Sequence, residues 1–91
     1  MKIYKKKDGL LARKIEGETV IVETNTGFCH VLNSIGSLIW ENINENSFDA
    51  MLENVKKYID PSTVDNQTIC QDVTEYVSIL LQKELIEEKE I

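Results

Sequence analysis

No apolar run in the 91 residues is long enough to cross a bilayer. The N-terminal stretch Met1 to Asp8 carries Lys5, Lys6 and Lys7, but no apolar segment follows that could form the core of a secretory signal. The chain is therefore expected in the cytoplasm, with no membrane contact. Positive charge is scarce: 10 Lys and Arg against 16 Asp and Glu leave a formal charge of -6. That balance argues against nucleic acid as a partner, because phosphate binding needs a surplus of cations on one face.

Reactive side chains are equally sparse. The two cysteines, Cys29 and Cys70, lie far apart and form no CxxC pair, so they read as reduced thiols behaving like small hydrophobes. Together with His30 they lack metal-ligand spacing, and no metal is expected. His30 is the single histidine. No GxSxG elbow, P-loop, HExxH or dinucleotide fingerprint is present, and nothing brings together a nucleophile, a base and an orienting group. Cys29 and His30 are neighbours, so on a strand they point to opposite faces and make a poor catalytic pair. The sequence thus reads as a non-enzyme without a cofactor.

What is present is a single α+β domain spanning 1–91, with a core from about residue 10 to 86. The first half is rich in strand formers. Leu10 to Glu16 alternates in part, Gly17 breaks it, and the β-branched run Thr19 to Glu23 follows. Asn25-Thr26-Gly27 signals a turn, and Phe28 to Leu32 reads as a third strand. Three strands joined by tight turns make an antiparallel meander, whose last strand keeps an open edge. His30 shares one face of that strand with Phe28 and Leu32.

The second half has helical spacing. Asn33 or Ser34 can cap a first helix with Ile35, Leu38, Ile39 and Ile43 on one face. Ser47 caps a second with Phe48, Met51, Leu52, Val55, Tyr58 and Ile59, stopped by Asp60-Pro61-Ser62. A third and longest helix is expected from Asp65 or Asn66 to about Glu84. Its narrow stripe Ile69, Val73, Tyr76 and Leu80 suffices to pack on a core, while Cys70, Thr74, Val77 and Leu81 widen the apolar surface to one side. Such an extra flank reads as one wall of a groove. The lysines at 5–7 read as a solvated arm, and Glu87-Glu88-Lys89-Glu90 as a frayed tail.

The segment from Thr26 to Trp40 resembles the PqqD-like family, also called RiPP recognition elements. The matching features are Gly27, the pair Leu32-Asn33, Gly36 and the pair Ile39-Trp40, followed by Asp72-Val73 and the Leu-rich end Leu80 to Ile86. The resemblance implies a winged-helix-like fold, with an N-terminal three-stranded antiparallel sheet followed by three α-helices. It also implies a function: the leader of a ribosomally made precursor peptide adds as a strand to the third strand, and its side chains enter a groove beside the third helix. On that reading the binding residues are Phe28, Cys29, His30, Val31 and Leu32 on the strand, with Cys70, Val73, Thr74, Val77 and Leu81 on the helix. Trp40 is read as core. The partners implied are the precursor leader peptide and either a leader peptidase with a cyclase, as in lasso-peptide pathways, or a radical-SAM enzyme. Other readings of the residues are a winged-helix DNA binder, disfavoured because the third helix carries Asp72, Glu75 and Glu84 against Lys83 alone, and a dimer paired through the open strand edge.

Overall fold

The structure, a computed structural model, describes residues 1–60 and 62–91. Its elements run β1 (Lys2–Lys6), β2 (Leu10–Ile15), β3 (Glu18–Glu23), β4 (Cys29–Leu32), α1 (Ser34–Glu41), α2 (Phe48–Lys56), α3 (Asn66–Gln82) and β5 (Ile86–Glu90). The architecture is α+β. A three-stranded antiparallel sheet in the order β2-β3-β4 precedes the three helices.

Local chemistry explains most boundaries. Glu16 and Gly17 both take positive φ, 51° and 84°, which matches the twist needed for a two-residue hairpin between Ile15 and Glu18. Each helix is capped by a short polar side chain accepting from the first turn. Asn33 accepts from the Gly36 N–H at 2.9 Å, Ser47 from Ala50 at 3.2 Å and Asp65 from Thr68 at 2.8 Å. These bonds satisfy donors that a helix N-terminus otherwise leaves open. The first two helices end earlier than their apolar spacing suggests. Ile43 lies beyond α1 yet is fully buried, and Tyr58 lies beyond α2 and is exposed. Pro61, read as a helix stop, lies outside the described residues.

The core joins Ile21 and Leu32 of the sheet to Ile39, Trp40 and Ile43, to Met51 and Val55 of α2, and to Ile69, Val73, Val77 and Leu80 of α3. A buried hydrogen bond of 2.7 Å from the Thr19 hydroxyl to Ser37 ties β3 to α1 without leaving either group unpaired. Trp40 is buried in this core, with the Lys6 ammonium 4.8 Å from its ring centroid. That ammonium is held below the ordinary lysine range, chiefly by burial, while Glu41 opposes the shift.

Two expectations are corrected. Neither the N-terminal lysines nor the acidic tail is a loose arm: β1 and β5 pair antiparallel as a separate two-stranded sheet, with Lys2 opposite Glu90 and Lys5 opposite Glu87. Buried Ile3 and Ile86 anchor this ribbon, so the packed region extends to both ends of the chain. Its surface charges pair along the ladder, Lys2 with Glu88 at 3.8 Å and Lys5 with Glu87 at 3.9 Å. Such exposed pairs contribute little; burial of the two isoleucines holds the ribbon. The chain enters β5 through Glu84, at φ 59°, where the Leu85 N–H returns to the Leu80 carbonyl at 3.0 Å and closes α3.

Candidate functional site

Among the described residues, strand β4 pairs only with β3 and forms one edge of its sheet. The Glu23 N–H bonds to the Phe28 carbonyl at 2.8 Å, which fixes the parity of the ladder. With His30 opposite Ile21 and Leu32 opposite Thr19, the main chain of these two residues faces β3. The N–H and C=O groups of Cys29 and Val31 therefore face away from the sheet. The side chains alternate as well. Leu32 is buried and His30 half-buried, whereas Cys29 and Val31 are exposed. His30 Nε2 lies 2.7 Å from Glu23 Oε2, so this histidine is engaged with a neighbouring strand. Phe28, just before β4, is 67% exposed.

Helix α3 buries Ile69, Val73, Val77 and Leu80. At about 100° per residue, two flanks diverge from this stripe. One carries Cys70, Thr74 and Leu81; the other carries Asp72, Tyr76 and Ile79. Each flank borders a shallow hollow. The first, of about 360 Å³, is lined by Thr74, Val77, Ser78 and Leu81 with Tyr4 of β1 and Phe48 of α2. The second, of about 340 Å³, is lined by Asp72, Glu75, Tyr76 and Ile79 with Asn33 and Ile35 from the β4–α1 junction.

The helix residues chosen from the sequence are divided by this arrangement between the core and one flank. Cys70, Thr74 and Leu81 lie on the flank turned toward Tyr4 and Phe48, not toward the end of β4. Val73 and Val77 are core residues, 1% and 4% exposed. The flank at the strand end is that of Tyr76 and Ile79, and Ile79 is 41% exposed. Tyr76 looks like part of the core stripe in sequence but is only half-buried, and its hydroxyl donates to Asn33 Oδ1 at 2.6 Å. The i, i+4, i+7 spacing of Asp72, Tyr76 and Ile79 was the available signal for this second flank.

Among the described residues, no group of three His, Cys, Asp or Glu side chains is placed to hold a metal ion. None of the described helices is long and apolar enough to cross a membrane. The site offers hydrogen-bonding backbone and a mixed shelf, Ile35, Tyr76 and Ile79 standing among Asn33, Asp72 and Glu75.

The sequence profile of the family described as "Coenzyme PQQ synthesis protein D (PqqD)" matches residues 18–86. The chain belongs to the PqqD family. The features that carried the resemblance have physical roles in this member. Gly27 takes a positive φ of 77° in the β3–β4 loop, Asn33 caps α1, and Ile39 and Trp40 are buried. Among solved structures, the chain is similar to one described as "TbiB1 in Complex with the TbiA(beta) Leader Peptide". The TM-score is 0.76 at 26% identity, over 91% of this chain and 94% of that one. A comparison with curated proteins found no match.

Proposed function

We propose that this PqqD-family chain is a non-catalytic, cytoplasmic peptide-binding protein that takes the leader of a ribosomally made precursor peptide as an added strand on β4. The observation that carries this reading is the β4 edge, where Cys29 and Val31 turn their main-chain groups outward and where the Tyr76–Ile79 flank of α3 meets Asn33 at the strand's end. The leader bound in the TbiB1 structure supports it.

The energetics suit a reversible carrier. Each main-chain hydrogen bond to the leader contributes about 0.5–1.5 kcal/mol net. One aliphatic leader side chain buried against Ile79 adds roughly 1.5–3 kcal/mol. Ordering a flexible leader opposes both. Backbone bonds supply affinity without regard to sequence, and inward side chains supply selectivity.

The binding set is then Cys29 and Val31 through their backbone, His30 and Leu32 on the inward face, Phe28 at the strand entrance, and Tyr76 and Ile79 on the helix. In this winged-helix-like reading α3 serves as a groove wall; its Asp72 and Glu75 disfavour a nucleic-acid role. The bound leader is presented to modifying enzymes, with a leader peptidase and cyclase of a lasso-peptide pathway favoured by the segment from Leu32 to Trp40. Service to a radical-SAM enzyme is the second reading, favoured by the family's link to PQQ synthesis.

The direct test is fluorescence anisotropy with the labelled leader of the precursor encoded nearest this gene, against its core peptide and a scrambled leader. Selective binding that Val31→Pro weakens about tenfold or more is the expected result. That change deletes a donor facing away from β3, a position where an edge strand tolerates proline. Equal binding of leader and scrambled leader, or binding indifferent to Val31→Pro in a folded variant, contradicts the strand-addition reading.

A further inference from the structure

Tyr76 connects three elements through one oxygen. Asn33 Oδ1 accepts from the Tyr76 hydroxyl at 2.6 Å and from the Gly36 N–H at 2.9 Å. The end of β4, the first turn of α1 and the middle of α3 thus meet at a single amide. The Tyr76 ring also lies against Gly36. A Cβ built on Gly36 would stand 2.5 Å from Tyr76 Cε1 and 2.8 Å from Cζ, closer than side-chain atoms pack. Glycine within a helix is otherwise unfavourable, so the close passage of the ring gives this one a reason.

This clasp is not what holds α3 on the protein. Ile69, Val73, Val77 and Leu80 already do so from the buried stripe. What the clasp determines is where the aromatic ring stands beside the end of β4, between Asn33 and the exposed face of Ile79. An added strand shares its side-chain facing with its neighbour, so the leader residue beside Leu32 points inward as Leu32 does. On that geometry the side chain is directed to the hollow where Ile35, Tyr76 and Ile79 stand with Asn33, Asp72 and Glu75.

Resting on the leader-binding reading, we infer that Tyr76, pinned to Asn33 across Gly36, is the specificity-determining residue for the leader position beside Leu32. The ring fills the inner end of the hollow and limits the size of the side chain admitted there. Gly36 lets the ring reach that place, and the hydroxyl bond to Asn33 keeps it there. Tyr76 acts on one leader position, not on the strand as a whole, because backbone pairing at Cys29 and Val31 does not involve it.

The test is a leader scan in which each position of the bound segment is changed in turn to Ala, Leu and Trp, read by anisotropy on wild type, Tyr76→Leu and Tyr76→Phe. Thermal melts establish that each variant is folded. Tyr76→Leu is expected to shift the preference at a single leader position toward the larger side chain by about fivefold or more, with the other positions unchanged. Tyr76→Phe keeps the ring and so keeps the wild-type order of side chains at that position, with weaker binding from the lost clasp. A scan profile identical in wild type and Tyr76→Leu overturns the inference. So does a uniform loss at every position, which marks a purely structural role. Wild type that discriminates no leader from its scramble instead overturns the leader-binding reading itself, and this inference with it.

Discussion

The two flanks of α3 are similar in extent and differ in charge, Asp72 and Glu75 lining the second alone, and in what stands across from them. Both border hollows of similar size, about 360 Å³ beside Thr74 and Leu81 and about 340 Å³ beside Tyr76 and Ile79. The first faces Tyr4, whose N–H is already bonded to the Asn46 carbonyl at 2.9 Å, and the side chain of Phe48. The second faces the end of β4, where outward main-chain groups of Cys29 and Val31 have no partner strand among the described residues. An apolar helix wall can bury a side chain, but only an open ladder fixes the direction and register of an extended peptide. On the proposed reading, a strand edge, more than apolar area, marks the place for a peptide.

The contrast is open to a matched pair of substitutions. Ile79→Glu sets a carboxylate in the proposed groove, where it costs an apolar contact and must be desolvated by any bound leader. Leader affinity is expected to fall roughly 10- to 100-fold by titration, in line with the about 1.5–3 kcal/mol of one buried aliphatic contact. Thr74→Glu, exposed on the other flank, is expected to leave leader affinity within about twofold. If Thr74→Glu is the damaging change, the peptide lies on the Tyr4–Phe48 side and the assignment of flanks reverses. Val77→Glu gives no such information, because Val77 is core and a charge there is expected to destabilise the whole domain.

A smaller effect separates the groove from the rest of the scaffold. Glu84 holds a left-handed conformation at the end of α3, which glycine adopts without steric cost. Glu84→Gly is expected to raise stability by up to about 1 kcal/mol in chemical denaturation, the relieved strain being partly offset by the freer unfolded chain. Leader affinity is expected to stay the same. A rise in stability that also alters affinity would tie the α3–β5 turn to the groove and blur the distinction between scaffold and site.

How far the sequence speaks for this structure depends on the range of the signal. The caps at Asn33, Ser47 and Asp65 and the strand run Thr19 to Glu23 are local, and they appear where the residue chemistry puts them. The ribbon of β1 and β5 was not legible. Its two strands look like charge runs in isolation and become strands only by pairing across nearly the whole chain, Lys2 with Glu90. The open edge of β4 follows from a meander ending there, and the structure retains it. The groove flank was harder. A helical wheel shows that α3 has two flanks, yet nothing in the spacing says which one turns toward β4. That depends on how the helix crosses the core, and it separates Tyr76 and Ile79 from Cys70, Thr74 and Leu81. Tyr76 was hidden for a second reason: its spacing fits the core stripe, and its tie to Asn33 spans 43 residues.

Amide hydrogen exchange at β4, measured by NMR with and without a saturating leader peptide, tests the central claim most directly. The Cys29 and Val31 amides point away from β3 and are expected to exchange quickly in the free protein, then slow by about tenfold or more when the leader is bound. The His30 and Leu32 amides, facing β3, are expected to change far less. A leader that binds selectively while Cys29 and Val31 continue to exchange freely would contradict strand addition on β4 and move the binding site elsewhere on the molecule.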